Sequence, residues 1–315
     1  MRSVALAFVY AASVWSQVEF THLADRVAVR IDGQEFGSLY FGKEANKPFF
    51  YPLRTPSGIK VTRSFPMEKV EGEPTDHPHQ KGLWMGTERL NGMDFWENDP
   101  TYKRPRMGKI VLKDVSGLRS GARSGVLTFR ADWIAPDGPA VVAEKRSMTF
   151  YGGIPNARIF DIDVVFTARQ EVTFDDHQDA VIGIRLSPAF DERNGGMPVN
   201  AEGLRGEAET RGKTSRYLDW QTKIGNEDVG VAILDHPKNL HAPAHWHLRH
   251  FGFFAANPFG NKVFRAEAKS LAKTLRANES LRLRYRIIVH SGAFDVEASW
   301  REFAKLPANS ENQAP

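Results

Sequence analysis

Two histidines stand two residues apart in Thr75-Asp76-His77-Pro78-His79-Gln80-Lys81-Gly82-Leu83-Trp84-Met85-Gly86. If this stretch is extended, His77 and His79 point to one side. Pro78 restricts the backbone between them and biases His77 toward an extended conformation. Two imidazoles held in this way can share a metal ion, or one can move a proton while the other holds a substrate. The plainer reading is a pair of structural histidines bonded to loop carbonyls. The tripeptide Asp-His-Pro recurs at Asp235-His236-Pro237, so the same question arises twice.

A second cluster, Asp175, Asp176, His177 and Asp179, immediately precedes an apolar run ending at Leu186. A carboxylate beside an imidazole fixes its tautomer and raises its basicity. His177 is therefore a candidate general acid, general base or ligand, against the alternative of a polar turn entering a strand. A third cluster spans Ile233 to Gly260 and sets His236, His241, His245, His247 and His250 among Trp246, Phe251, Phe253 and Phe254. Here His245 and His247 share a face if extended. Imidazoles in such number suit a transition metal. Aromatic faces beside charged and amide side chains, here Trp84, Arg249 and Asn257, equally suit a sugar. Glu68, Glu71 and Glu73 with Asp76 offer a carboxylate pair for glycoside cleavage, or simply a solvated acidic loop. No zinc-protease helix motif, nucleophile elbow, phosphate-binding loop or dinucleotide fingerprint is present.

The elements that position these residues read as strands. Arg26–Asp32, Gly125–Trp133, Ala157–Thr167 and Ser280–His290 alternate apolar with polar residues. A strand with one apolar and one charged face belongs to an antiparallel sheet wetted on one side. Turn signals roughly every ten residues fit an all-β sandwich. One helix is expected, over Phe294–Lys305, with Val296, Trp300 and Phe303 at helical spacing. The stretch Arg54–Trp96 reads as a long irregular segment, of the kind that is usually functional.

Of the 315 residues 41% are hydrophobic and 25% charged, an ordinary globular composition. The net charge of +4 is too mild to argue for nucleic acid or an anionic membrane as a partner. The opening MRSVALAFVYAASVWSQ carries one charge, an apolar run and then small residues, which is the pattern of a secretory signal. The expectation is a leader over 1–17, one β-sandwich domain over 18–308 and a polar tail over 309–315. The mature chain would then be exported, periplasmic or extracellular, with no membrane span. There is no cysteine, which excludes disulfides, thiolate ligands and cysteine nucleophiles.

Several of these stretches together resemble a family of bacterial proteins of unknown function, DUF6807, also labelled PmoA-like or "methane oxygenase PmoA". The matching residues are YPLRTPSG (Tyr51–Gly58), EPTDHPHQKGLW (Glu73–Trp84), DHQDAVIGIRL (Asp176–Leu186), DHPKN (Asp235–Asn239), HWHLRHFGFFAANPFG (His245–Gly260) and LRYRIIVH (Leu283–His290). The methane monooxygenase subunit behind that label is a multi-pass membrane protein. This chain has no such segments, and no copper chemistry is carried over.

A weaker resemblance is to the galactose mutarotase-like fold, an antiparallel supersandwich of sugar-acting proteins. It matches His79 with Gly82, His177 opening a mid-chain strand, and Glu279 in the turn before the last long strand. The usual Pro-Gly before that glutamate is replaced by Ala277-Asn278. The resemblance implies carbohydrate binding or epimerase-like proton transfer, with His177 as acid, Glu279 as base and His79 beside them. Arg54, Arg63, His77, Trp84, Asp176, His245, His247, Arg249 and Asn257 would then bind a small-molecule or oligosaccharide ligand, with no cofactor. The alternatives are a divalent transition metal held by His77, His79, His177, His245 and His247 in an oxidoreductase or hydrolase, and a non-catalytic sugar-binding module.

Overall fold

The computed structural model of the chain describes residues 17–42 and 45–307. Apart from Gln17, the leader expected over 1–17 lies outside these residues, as does the polar tail. Two eight-stranded antiparallel sheets form the body. The first runs, in spatial order, β1 (Val18–His22), β2 (Arg26–Ile31), β3 (Gln34–Tyr40), β4 (Phe49–Tyr51), β5 (Leu83–Thr87), β11 (Ala180–Arg185), β16 (Phe253–Asn257) and β15 (His245–Arg249). The second runs β12 (Met197–Asn200), β13 (Tyr217–Ile224), β14 (Glu227–Asp235), β18 (Ser280–Ser291), β9 (Ala157–Ala168), β8 (Ala140–Tyr151), β7 (Ser124–Ile134) and β6 (Lys109–Arg119). A small ribbon pairs β10 (Val172–Phe174) with β17 (Lys273–Leu275). The all-β sandwich read from the alternation is the architecture found.

The alternating strands fall where periodicity puts them. Val27, Val29 and Ile31 of β2 are fully buried, while Arg30 between them is exposed. On β18 the apolar residues enter the core and the arginines meet acids of β9: Arg282 Nε donates to Asp163 and Arg286 Nε to Asp161, each at 2.7 Å. The space between the sheets is filled by residues such as Leu83, Met85, Ile182, Ile184, Trp246, Leu248 and Phe254, facing Phe129, Trp133, Phe160 and Ile287. Each such side chain contributes roughly 1.5–3 kcal/mol on leaving water.

The expected C-terminal helix, α2, spans Val296–Lys305, and Asp295 caps it by accepting the Ala298 N–H at 2.8 Å. Phe303 and Val296 pack α2 onto Ile159, Leu234 and Ile288 on the outer side of the second sheet. A five-residue helix, α1 (Gly206–Thr210), was not foreseen. Among the described residues no helix is long and apolar enough to cross a membrane.

The outer face of the first sheet positions the site. Residues one position off its core set point outward: Trp84, Gly183, Arg185, Phe253, Ala255, Asn257, His245, His247 and Arg249. Trp84, Trp96 and Phe253 form an aromatic layer over the middle strands, with Trp84 and Trp96 centroids 5.0 Å apart. Gly183 makes room for it, since a Cβ there would lie 2.7 Å from the Trp96 ring.

Candidate functional site

Antiparallel pairing sets Thr87 of β5 opposite Ala180 of β11. The residues just beyond, Glu88 and Asp179, therefore meet at one end of the two strands, where the Glu88 N–H donates to the Asp179 carbonyl at 3.0 Å. The two carboxyl groups also hydrogen-bond each other. His177 Nδ1 lies 3.2 Å from Glu88 Oε2 and 4.0 Å from Asp179 Oδ2. Two strands away, His247 Nδ1 lies 3.2 Å from Asp179 Oδ1, within ion-pairing distance but off the line of a hydrogen bond.

Two carboxyl groups in contact hold one proton between them, because both cannot ionise at once in a poorly solvated place. Burial, then the Asp179 charge, pushes Glu88 up to about 8. Burial alone would raise Asp179 as well, but His247 and the bond from Glu88 outweigh it and hold Asp179 below the usual carboxylate range. Glu88 is therefore the proton-bearing partner and Asp179 the anion. Burial lowers His177, aided by Arg89 and opposed by Asp179, so this imidazole is neutral. The Asp179 N–H points at Nδ1 at 3.4 Å, which leaves the ring proton on Nε2. The side chains of His177 and Glu88 remain 15% and 25% exposed, so a ligand can reach both.

The other residues singled out by sequence divide. His77 and His79 do approach, with ring centroids 5.6 Å apart. They do so through a turn, because His77 adopts a left-handed φ of 47° and not the extended backbone expected before proline. His79 is buried against Tyr102, and desolvation with the Lys47 charge drives its imidazole down to about 2, so the ring is neutral. His245 and His247 share the outer face as expected and are buried, yet neither ring nitrogen of either completes a hydrogen bond. Burial lowers His245 as well.

Several expected ligand contacts are internal instead. Asp176 spends both oxygens on the N–H groups of Asn261, Lys262, Val263 and Leu271. Asn257 donates to the carbonyls of His177 and Gln178 and accepts from Phe259 and Gly260, so it shapes the turn that carries His177. Arg63 is consumed by the carbonyls of Asp76, His77 and Gln80 and by the Asp76 carboxylate. Trp84 is fully buried and offers no face to a ligand. Arg54 bonds Gly58 in its own turn, and Arg249 pairs with Glu207 at the sheet edge.

Glu279 is exposed in the turn before β18, on the other sheet, where its carboxylate accepts the Arg276 N–H at 2.8 Å. It does not join His177. The residues expected as acid and base, His177 and Glu279, thus lie apart, and the carboxyl groups beside His177 are those of Glu88 and Asp179. The five imidazoles proposed as metal ligands do not gather either. Among the described residues, the ligand atoms that do converge, all within 4.8 Å of one another, belong to Glu88, His177 and Asp179.

Lys47 was also missed by sequence. It is buried, donates to the Trp96 carbonyl and Asn98 Oδ1 at 2.7 Å each, and is brought down to about 7 by burial and by Lys81. Nothing in its sequence neighbourhood marks it. Glu88 carried a faint signal, a lone carboxylate directly after the apolar run Leu83–Thr87.

Fold and site together define an antiparallel β-sandwich with an adjoining carboxyl pair, Glu88 and Asp179, at one end of two strands of one sheet. Residues 26–303 match DUF6807, a family of unknown function, and the chain belongs to that family. The PmoA label gains no support from this match. No curated protein matches the sequence. Among solved structures, it is similar to the heparan sulfate lyase HepC from Pedobacter heparinus, with 9% identity and a TM-score of 0.40 over 90% of this chain. It is also similar to a GalM/aldose epimerase homologue from C. elegans, with 9% identity and a TM-score of 0.34, covering 88% of this chain and all of that one. A third is a glycoside hydrolase family 97 enzyme from Pseudoalteromonas sp. strain K8, with 10% identity and a TM-score of 0.33 over 91% of this chain. The chain spans only 36% of the lyase and 35% of the hydrolase.

Proposed function

We propose that the chain binds a carbohydrate on the outer face of the first sheet and moves protons on it through Glu88 and Asp179. The observation that supports this is the adjoining carboxyl pair, with Glu88 raised and Asp179 lowered, in which Glu88 and the neighbouring His177 stay partly open to solvent while Asp179 is buried behind them. Such a pair supplies an acid and a base side by side. An aldose ring needs both at adjacent oxygens. Asp179 takes the proton of the anomeric hydroxyl as the bond from that carbon to the ring oxygen breaks, and Glu88 gives its proton to the ring oxygen. The open aldehyde then recloses from its other face with both transfers reversed. His177 Nε2–H is placed to hold a sugar oxygen, and His247 keeps Asp179 ionised.

The test is anomeric exchange across a panel of aldoses, followed by magnetisation-transfer NMR. Glu88→Gln and Asp179→Asn should each slow exchange at least about 100-fold, the usual share of a general acid or base. Rates should fall above pH 8 as Glu88 loses its proton. Exchange at the wild-type rate in Glu88→Gln would overturn the assignment.

A second reading is favoured by the convergence of Glu88, His177 and Asp179, a donor set that also suits a divalent cation. It predicts about one ion per chain in protein purified without chelator, lost in Asp179→Ala. Metal-free, folded and active protein would exclude it.

A further inference from the structure

Farther along the same outer face, where β11 ends, a cavity of about 200 Å³ opens beside Arg185, Arg63, Arg193, Asp76, Asp191 and Phe251. Its cations are of two kinds. Arg193 is 73% exposed at the rim and is satisfied by Asp191 at 2.6 Å. Arg63 and Arg185 are 1% and 2% exposed and face a single carboxylate, Asp76. The third acid nearby, Glu73, spends its two oxygens on the N–H groups of Ser64 and Phe65.

Arg63 fills its terminal nitrogens with loop carbonyls and Asp76, but Arg185 does not. Its Nη1 makes one bond, to Gln80 Oε1 at 2.7 Å, and its Nη2 reaches Asp76 only at 3.4 Å, which leaves terminal N–H groups spare; its Nε, like that of Arg63, is buried without a partner. A guanidinium carries five N–H donors, and burying them unmatched is costly. The group is nonetheless held in place, its Cζ 4.0 Å from the centre of the Phe251 ring. Burial, then the neighbouring Arg63 charge, brings it down to about 9 against the opposing pull of Asp76, Asp191 and Glu73. A buried, oriented cation with spare donors on a small cavity is an incomplete ion pair. A bidentate anion is the group that fits a guanidinium fork.

We propose that this cavity is an anion subsite, in which Arg185 receives a carboxylate or sulfate group carried by the carbohydrate ligand. The identity of the carrier rests on the carbohydrate reading above; the anion site itself does not. Six residue steps along β11, from Asp179 to Arg185, separate Arg185 from the Glu88–Asp179 pair by about 20 Å at a strand's rise per residue. The subsite therefore addresses a different sugar unit from the one at the carboxyl pair, and the ligand is an acidic oligosaccharide.

The experiment is a titration of full-length protein followed by NMR, with D-glucuronate, D-glucose 6-sulfate, D-glucose, acetate and inorganic sulfate as probes. Either acidic sugar should bind at least tenfold tighter than glucose and shift the Phe251 and Arg185 signals. Arg185→Lys, checked for a native melting transition, should lose that preference. Arg193→Gln at the exposed rim should weaken it a few-fold and serves where Arg185→Lys does not fold. Preference for glucuronate or for the sulfate ester names the source of the anion. Binding of acetate or sulfate at Arg185 with no gain from the sugar would keep the anion site and sink the carbohydrate reading. Equal binding of glucose and both acids, with acetate and sulfate silent, would overturn the proposal.

Discussion

Asp76-His77-Pro78 lies in the loop that covers the outer face of the first sheet, and Asp235-His236-Pro237 closes β14 beneath α2 on the second. The side chains are the same and their circumstances are opposite. In the first copy His77 is 42% exposed and Asp76 is 40% exposed, shared between the His77 ring and two buried arginines. In the second copy His236 is fully buried. Lys238 N–H donates to His236 Nδ1, Arg284 Nη1 stands 2.9 Å from Nε2, and Phe303 packs edge-on at 5.0 Å. Asp235 is equally enclosed, accepting from Asn239 Nδ2 at 2.7 Å and from the Ala244 N–H at 2.9 Å. A motif in sequence thus specifies a local turn but not a role. The role follows from whether the polar atoms are spent inside the protein or left for something else.

The comparison implies that the aspartate matters more in the exposed copy and the histidine in the buried one. The largest effect should come from Asp76→Ala. It strands Arg63 and Arg185 as buried charges, and loss of one partner of such a pair costs about 3–5 kcal/mol. Asp235→Ala strips partners from one amide and one backbone N–H and should cost about 1–3 kcal/mol. Urea unfolding of both variants decides it, and an Asp235→Ala loss larger than that of Asp76→Ala would break the comparison.

For the histidines the order reverses. His236→Ala opens a cavity against Phe303 and leaves Arg284 short of a partner, a loss of about 2–3 kcal/mol. His77→Ala should stay within about 0.5 kcal/mol, as exposed substitutions do. Similar melting shifts for the two variants would mean that the second copy is not the structural one.

Much of the frame was legible because alternation reports a half-buried strand directly: β2, β7, β9 and β18 lie where the pattern sets them. β5 was hidden within a stretch read as irregular, because all five of its residues are buried and so do not alternate. The carboxyl pair was illegible for a different reason. Glu88 and Asp179 become neighbours only through the register that sets Thr87 against Ala180, and no local signal encodes that pairing. Asp176 and Asn257 were read as ligand contacts because a polar residue near a histidine looks the same whether it bonds a sugar or its own backbone. Only the count of filled hydrogen bonds separates the cases.

Opposed effects should appear in pH dependence, where the two aspartates are shifted in opposite directions. Burial raises the Asp235 carboxyl to about 7, so between about pH 4 and 7 the folded chain holds a proton that the unfolded chain, with an ordinary carboxylate near ~4, has released. That term makes the protein more stable as pH falls. Burial, then the Arg284 charge, lowers His236 to about 4, so between about pH 6.5 and 4 the unfolded chain binds a proton that the folded chain refuses. That term makes it less stable as pH falls. Each slope is at most about 1.4 kcal/mol per pH unit, and across their shared window they oppose each other. His236→Phe should therefore expose a stability that rises on acidification from pH 6.5 to 4.5, and Asp235→Asn one that falls. In the exposed copy the His77 ring, with Arg185 and Arg63, holds Asp76 well below the usual range, so its contribution is present above about pH 4 and is lost only below it. Asp76→Asn should leave the slope between pH 4.5 and 6.5 unchanged. A flat profile in both Asp235→Asn and His236→Phe would show that the buried pair does not titrate in opposition, and the contrast between the two copies would then rest on packing alone.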